Sequence, residues 1–151
     1  MKNLFLVLLF IPASIYSQSQ KLNGIDLNGP KGFVKTENLT WGKGNDIISV
    51  QSFEGKFTVK EYEEVCSEGS RTTEYLAMET QEISGTEYQI CLQYGENGML
   101  LAQVPIYRNG YTYIVTVGTY TLDYEESKRI EESMYQVFYM IGYMVTRVTL
   151  F

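Results

Sequence analysis

Three consecutive β-strand patterns between Glu87 and Tyr120 constrain the fold of this chain more than any other feature. In the first, apolar and polar residues alternate over 88–94, which is the period of two that gives a strand one apolar face. The second covers 99–107, where Pro105 indicates an edge or a bulge because proline cannot donate a ladder hydrogen bond. The third covers 111–120 and is rich in tyrosine and β-branched residues, as strands commonly are.

Turns containing glycine separate the three patterns. Gly95 and Gly98 flank Asn97 in the first turn, and glycine and asparagine both adopt positive φ readily. Asn109 and Gly110 form the second turn. An Asn-Gly pair is a strong hairpin signal because a type I′ turn needs positive φ at both central positions. The sequence therefore predicts an antiparallel meander of three strands.

The first 17 residues have the pattern of a secretory signal peptide. Lys2 supplies the positive start, an apolar run of eight residues follows at 4–11, and smaller residues lead to Ser17. A run of that length is far shorter than the roughly 20 residues that span a bilayer. We therefore expect an exported protein, periplasmic or secreted, with no stable membrane anchor after signal cleavage.

The remaining chain is expected to form one domain. Residues 18–32 are polar and contain several glycines, which predicts a leader with at most a short strand around 25–27. Residues 33–151 are long enough for a single α+β domain with its own core. The formal net charge is −6 at pH 7, whereas nucleic-acid binding relies on clustered lysine and arginine. Nucleic acid is therefore not an expected partner.

Two helices are expected to flank the meander along the chain. Thr58 and Glu61 have the spacing of a capping box, in which each side chain bonds the other residue's amide, so the first helix begins there. The second helix is expected to begin at Asp123 and to carry an apolar stripe that continues to Met144. Gly142 is a candidate end for this helix, followed by a short terminal strand.

Cys66 in the first helix and Cys91 in the first meander strand are the only cysteines. In an exported protein an even pair suggests a disulfide. The bond requires the helix to pack on the strand face that carries Cys91, and Gln89 and Gln93 make that face the less apolar one. Two separately buried thiols therefore remain an equal alternative.

The chain contains no histidine, which excludes the serine–histidine–aspartate and cysteine–histidine arrangements of nucleophilic catalysis. It also lacks the common phosphate-binding and nucleophile-elbow motifs. Its acidic residues cluster on the expected helices, where solvation and capping explain them. We therefore expect a protein that is not an enzyme, with no catalytic residue, no metal site and no cofactor. A carboxylate-dependent hydrolase ranks last among the functions considered.

Five segments share their order and character with those of one known family. They are Trp41 in an early aromatic segment, EYEE at 61–64, ISGTEYQICLQY at 83–94, YRNGYTYIVTVGTY at 107–120 and FYMIGYM at 138–144. Together they resemble the PsbP-like family, in its bacterial exported branch of the DcrB and LpqN type. The resemblance implies a twisted antiparallel sheet packed between two helices, an α/β sandwich. It also implies a protein that binds partners, envelope components or lipidic ligands without turnover.

Two groups of residues are candidate sites for an unknown protein partner or an apolar ligand. Tyrosine offers a large contact area at low entropic cost, and the second turn carries such a cluster: Tyr107, Arg108, Tyr111 and Tyr113. The alternative is a pocket for a lipidic ligand between the sheet and the last helix, lined by Met134, Val137, Phe138 and Ile141. A third interpretation is that these side chains simply fill the core. The preferred function is a non-catalytic exported binding protein, and an apolar-ligand carrier is the alternative.

Overall fold

A computed structural model of the protein describes residues 19–68, 73–95, 98–120 and 126–150, with the side chains of 126–130 excepted. The expected signal peptide at 1–17 and the expected helix cap at Asp123 lie outside these residues. Within them the chain forms nine strands and two helices.

The strands are β1 (Ser19–Leu22), β2 (Ile25–Asn28), β3 (Val34–Glu37), β4 (Thr40–Lys43), β5 (Asp46–Glu54), β6 (Thr73–Ile83), β7 (Thr86–Gly95), β8 (Met99–Arg108) and β9 (Tyr111–Tyr120). The helices are α1 (Val59–Glu68), which follows β5, and α2 (Glu126–Leu150), which follows β9.

Seven strands form one antiparallel sheet in the order β3-β4-β5-β9-β8-β7-β6, and β1 pairs separately with β2. The expected α+β class is confirmed. The meander is present as β7, β8 and β9, and its second turn has positive φ at both positions, 51° at Asn109 and 86° at Gly110. Because β9 also pairs with the whole of β5, the meander becomes the centre of a wider sheet.

The segment expected to be a leader contributes to the packed domain. Ile25 and Leu27 of β2 are buried in the main hydrophobic core. Trp41 of β4 is fully buried in the same core. A Cβ on Gly29 would lie 2.7 Å from that of Phe33 and 3.0 Å from that of Trp41, so the packing here requires glycine.

Helix α2 covers one face of the sheet and closes the main core. Its side chains Val137, Met140 and Ile141 are fully buried against residues of the central strands, among them Val104 and Val115. The 3.6-residue period of the helix places these three side chains on one stripe. This face of the sheet is the larger of the two packed regions.

The expected helix end at Gly142 and the terminal strand after it are wrong. Helix α2 continues to Leu150, because its apolar stripe continues past the glycine. The hydroxyls of Thr146 and Thr149 donate to the carbonyl oxygens four residues earlier, at 2.9 and 2.8 Å, so these polar side chains are satisfied within the helix. The last turns bury three further apolar residues: Met144, Val145 and Val148.

Helix α1 packs on the opposite face of the sheet. Ile90 of β7 belongs to the core under α2, whereas the next residue, Cys91, forms a second cluster with Tyr62 and Cys66 of α1. Because successive side chains of a strand point to opposite faces, the two helices cover opposite faces. A disulfide joins Cys66 and Cys91, whose Cα atoms are 6.0 Å apart. Of the two alternatives that the sequence leaves open, the structure has the bonded one.

Candidate binding cleft

Strands β7 and β8 have 10 residues each but form only four ladder pairs with each other. Their ladder runs from Tyr94 opposite Leu100 to Cys91 opposite Gln103 and ends there. Beyond that point 86–90 stays paired with β6 and 104–108 stays paired with β9, while no ladder pair joins these two segments to each other. The sheet therefore splits into two branches, and we call this opening the fork.

Tyr62 of α1 sits at the apex of the fork. Its hydroxyl donates to the carbonyl oxygen of Gln103 at 2.7 Å and accepts from the amide of Cys91. The hydroxyl therefore bridges the two strands at the point where their ladder ends. Burial raises the pKa of Tyr62 well above its ordinary value, although the bond from the Cys91 amide opposes this. The phenol consequently remains protonated, and a donor, at any physiological pH.

The backbone groups of the two branches point into the fork. Along an antiparallel strand, alternate residues direct their N–H and C=O groups to the same side. The Gln103 carbonyl points towards β7, so those of Pro105 and Tyr107 do as well. The same alternation directs the backbone groups of Glu87 and Gln89 towards β8. Pro105 has no N–H to leave unpaired, which explains why proline is tolerated at this internal edge.

A cleft of about 380 Å³ occupies the fork. The first turns of α1 bound it on one face of the sheet, and Thr149 of α2 bounds it on the other, because the strands between them have separated. Its volume lies within the roughly 300–1,000 Å³ of small-molecule sites, which are usually lined by apolar and aromatic side chains. The apolar and aromatic lining residues are Phe57, Val59, Tyr62, Tyr88, Pro105, Ile106 and Tyr107.

Hydrogen bonds fix the start of α1 above the cleft. The Thr112 hydroxyl of β9 accepts from the Phe57 amide at 3.2 Å and donates to the Gly55 carbonyl at 2.7 Å. The predicted capping box is confirmed, because the Thr58 amide donates to the Glu61 carboxylate at 2.8 Å and the Glu61 amide donates to the Thr58 hydroxyl at 3.1 Å. The Thr58 amide and the Thr58 hydroxyl both donate to the Glu61 carboxylate, and these two bonds hold the pKa of Glu61 below its ordinary value.

The far end of α1 is fixed as well. The disulfide ties Cys66 to β7, and the Gln93 side-chain amide of the same strand donates to the Cys66 carbonyl at 3.2 Å. Gln93 is buried, and this bond satisfies its amide in place of solvent. Helix α1 is thus held at both ends beside the cleft.

Charged groups stand at the mouth of the cleft. The Lys56 ammonium lies 5.5 Å from the centre of the Tyr107 ring, within the range of a cation–π contact. Glu87 lines the opposite branch and is exposed. Among the described lining residues Glu87 is the one carboxylate and Lys56 the one ammonium group.

The tyrosine cluster predicted at the second turn is divided between the two faces of the sheet. Tyr107 is exposed and lines the cleft. Tyr113 is fully buried in the core under α2, and Tyr111 packs against that core. Arg108 donates to the Val148 carbonyl of α2. The expected joint surface is therefore not formed, because Tyr113 fills the core and the period of two separates Tyr107 from the other three.

The pocket predicted under the last helix is occupied by packing. Val137 and Ile141 are fully buried in the main core, and Met134 and Phe138 pack against it half-buried. Phe138 also borders a shallow groove on the outer side of α2. The cleft in the fork lies between β7 and β8 and not under the middle of α2. Pro105 is the one sequence feature that indicated an interruption of the sheet there.

The described part of the chain shows no group of three or more metal-binding side chains. It also has no helix that is both long and apolar enough to cross a membrane. In comparisons with known proteins, the sequence matches no family model and no curated protein.

Proposed function

We propose that this chain is an exported, non-catalytic binding protein and that the cleft in the fork is its binding site. The observation that carries the proposal is the split of β7 from β8, which opens about 380 Å³ between the two helices. A split in the middle of a sheet forfeits ladder hydrogen bonds. Proteins concentrate such departures from regular structure at functional sites.

The chemistry of the lining favours binding over catalysis. Hydrolysis by paired carboxylates takes two carboxyl groups that flank the substrate, and Glu87 is the one carboxylate among the described lining residues. Tyr62 is held protonated by burial, so it is a poor candidate for a general base. An aromatic wall with a few polar groups is instead typical of a site that holds a ligand unchanged.

A PsbP-like sandwich and an exported location are parts of the same proposal. The position of α1 and α2 on opposite faces of one antiparallel sheet supports the sandwich. The disulfide between Cys66 and Cys91 is compatible with export, since structural disulfides persist mainly in oxidising compartments.

A pair of valines on α1 allows a matched test. Val59 lines the cleft and Val65 does not, yet each is 61% exposed on the same helix. We expect Val59→Trp to fill the mouth of the cleft and Val65→Trp to leave it open. Native mass spectrometry of protein recovered from its own envelope should find an added non-covalent mass on the wild type and on Val65→Trp. Val59→Trp should lose most of it.

Two results would contradict the proposal. Equal occupancy of the added mass on Val59→Trp and Val65→Trp would place the ligand outside the cleft. The second contradicting result has two parts. The wild-type protein would carry no added mass, and no envelope extract would change the NMR signals of Val59. Together these would indicate that the cleft binds no component of the envelope.

A further inference from the structure

We propose that the occupant of the cleft is an extended peptide segment of a partner protein, which adds to the sheet as a strand along β7. This inference rests on the proposed function, because it names the class of ligand for the same cleft. Strand addition requires an open row of backbone donors and acceptors, flanked by pockets for alternate side chains. The fork supplies both.

The row of backbone groups lies on β7. Glu87 and Gln89 each direct one N–H and one C=O into the fork, since they alternate with residues that bond β6. Within the described residues the ladder between β7 and β8 ends at Cys91 and Gln103, so it includes neither Glu87 nor Gln89. They are spaced by two residues of a strand, about 7 Å, which is the repeat that a second extended backbone presents.

The β8 branch is a poorer edge than β7. Pro105 offers no donor there, and the Gln103 carbonyl already accepts from the Tyr62 hydroxyl. Natural sheets protect edges with proline in the same way. The peptide is therefore expected to hydrogen-bond to β7 and to meet β8 mainly through side chains, with Tyr107 and Pro105 as the contact surface.

The two sides of the cleft differ, which sets the pattern of the peptide. Peptide side chains that point to the α1 side would meet Phe57, Val59 and Tyr62. We therefore expect apolar residues at alternate positions of the peptide. Near the mouth, Lys56 would complement a carboxylate, either of an acidic side chain or of a C-terminus. The open branch of β7 spans 86–90, so about four or five peptide residues would pair.

The test screens the full chain against a library of octapeptides capped at both ends, then measures affinity by fluorescence anisotropy. The best peptide is methylated on one backbone amide at a time. We expect losses of about tenfold or more at every second residue and small changes between, because only alternate amides donate to β7. Methylation that costs affinity at no position, or at consecutive positions, would overturn strand addition. Strand addition would also be overturned if Val59→Trp weakened the binding of no peptide in the library.

Three protein variants test the remaining parts of the pattern. Val59→Trp should abolish peptide binding and Val65→Trp should preserve it. Lys56→Gln should weaken a peptide with a carboxylate at the mouth by about threefold, and should leave its amide counterpart unchanged. A capped acidic peptide and a free C-terminus are compared in the same assay to identify the source of the carboxylate. Equal effects of Lys56→Gln on both members of the acid–amide pair would overturn the charge pairing.

The outcomes separate this inference from the proposed function. If the mass retained by the wild type is a lipid or another non-peptidic molecule, and Val59→Trp loses it, the cleft is the binding site but strand addition is wrong. If Val59→Trp changes neither the retained mass nor peptide binding, the proposed site itself is wrong.

Discussion

The two faces of the sheet are built in different ways. On the α2 face, a 25-residue helix lies over a continuous apolar core in which Ile48, Val117 and Ile141 have no exposed surface. On the α1 face, a 10-residue helix buries only a small cluster around Cys66. Large apolar side chains such as Ile47 stay partly exposed there. Burial on the α2 face therefore supplies most of the stability, and the α1 face can contain an opening without disturbing that core.

Specific bonds on the α1 face compensate for its small buried area. The helix is held by a disulfide, by the bonds of the Thr112 hydroxyl just before its start and by the tyrosine hydroxyl at the apex of the fork. Such bonds position a helix without requiring it to cover the sheet. A cleft can therefore open beneath α1, whereas an opening under α2 would leave a cavity in the core at a considerable energetic cost.

The sharpest test of this difference uses two neighbouring isoleucines on β5. Ile48 points to the α2 face and is fully buried, whereas Ile47 points to the α1 face and is 37% exposed. We expect Ile48→Ala to lower the free energy of unfolding by about 2–5 kcal/mol, because it leaves a cavity in a packed core. Ile47→Ala should cost about 1 kcal/mol or less. Urea denaturation of both variants measures the difference, and equal losses would show that the α1 face contributes as much as the α2 face.

Breaking the disulfide should have the next largest effect. Cys66 and Cys91 are 25 residues apart in sequence, and closing a loop of that size stabilises a protein by about 3 kcal/mol through the unfolded state. The double variant Cys66→Ala, Cys91→Ala should lose roughly that much. Relative to the wild type, hydrogen exchange in this variant should accelerate more at the amides of α1 than at those of α2. The wild type, denatured without reductant, should show no reactive thiol; two reactive thiols would contradict the bond.

Local signals in the sequence predicted local structure well. The capping box at Thr58 and Glu61 and the turn at Asn109 and Gly110 each depend on neighbouring residues, and both are confirmed. The predicted end of α2 was wrong because the prediction relied on a single glycine, Gly142, although the apolar spacing continues beyond it. A glycine inside a helix costs about 1 kcal/mol, which burial of the following turns offsets.

The fork could not be predicted from the sequence, because it depends on where two strands stop pairing. The strand patterns of β7 and β8 both continue across the point of separation, so the sequence predicts two complete strands. Pro105 indicated an edge without indicating which neighbour was missing. The apex also requires Tyr62, which is distant in sequence and is brought to Gln103 by the tethered helix. The candidate site therefore depends on tertiary contacts rather than on a motif.

The smallest expected effect concerns the acid sensitivity of α1. Bonds from Thr58 lower the pKa of Glu61 in the folded protein below its ordinary value of 4.5. A carboxyl group with a lowered folded pKa stabilises the fold fully above its unfolded pKa, and this contribution is lost as the pH falls through the folded value. Wild type should therefore be more stable than Glu61→Gln near neutral pH, and the gap should close below about pH 4.5.

Glutamine keeps an oxygen that can accept from the Thr58 amide but does not titrate, so the variant removes the charge and retains the cap. Glu63 is exposed on the same helix and takes no part in the capping box, which makes Glu63→Gln the matched control. Urea denaturation between pH 3 and pH 7 should show a pH-dependent gap for Glu61→Gln and a smaller one for Glu63→Gln. If the two gaps follow the same course, the capping carboxylate stabilises the start of α1 no more than a general surface charge does.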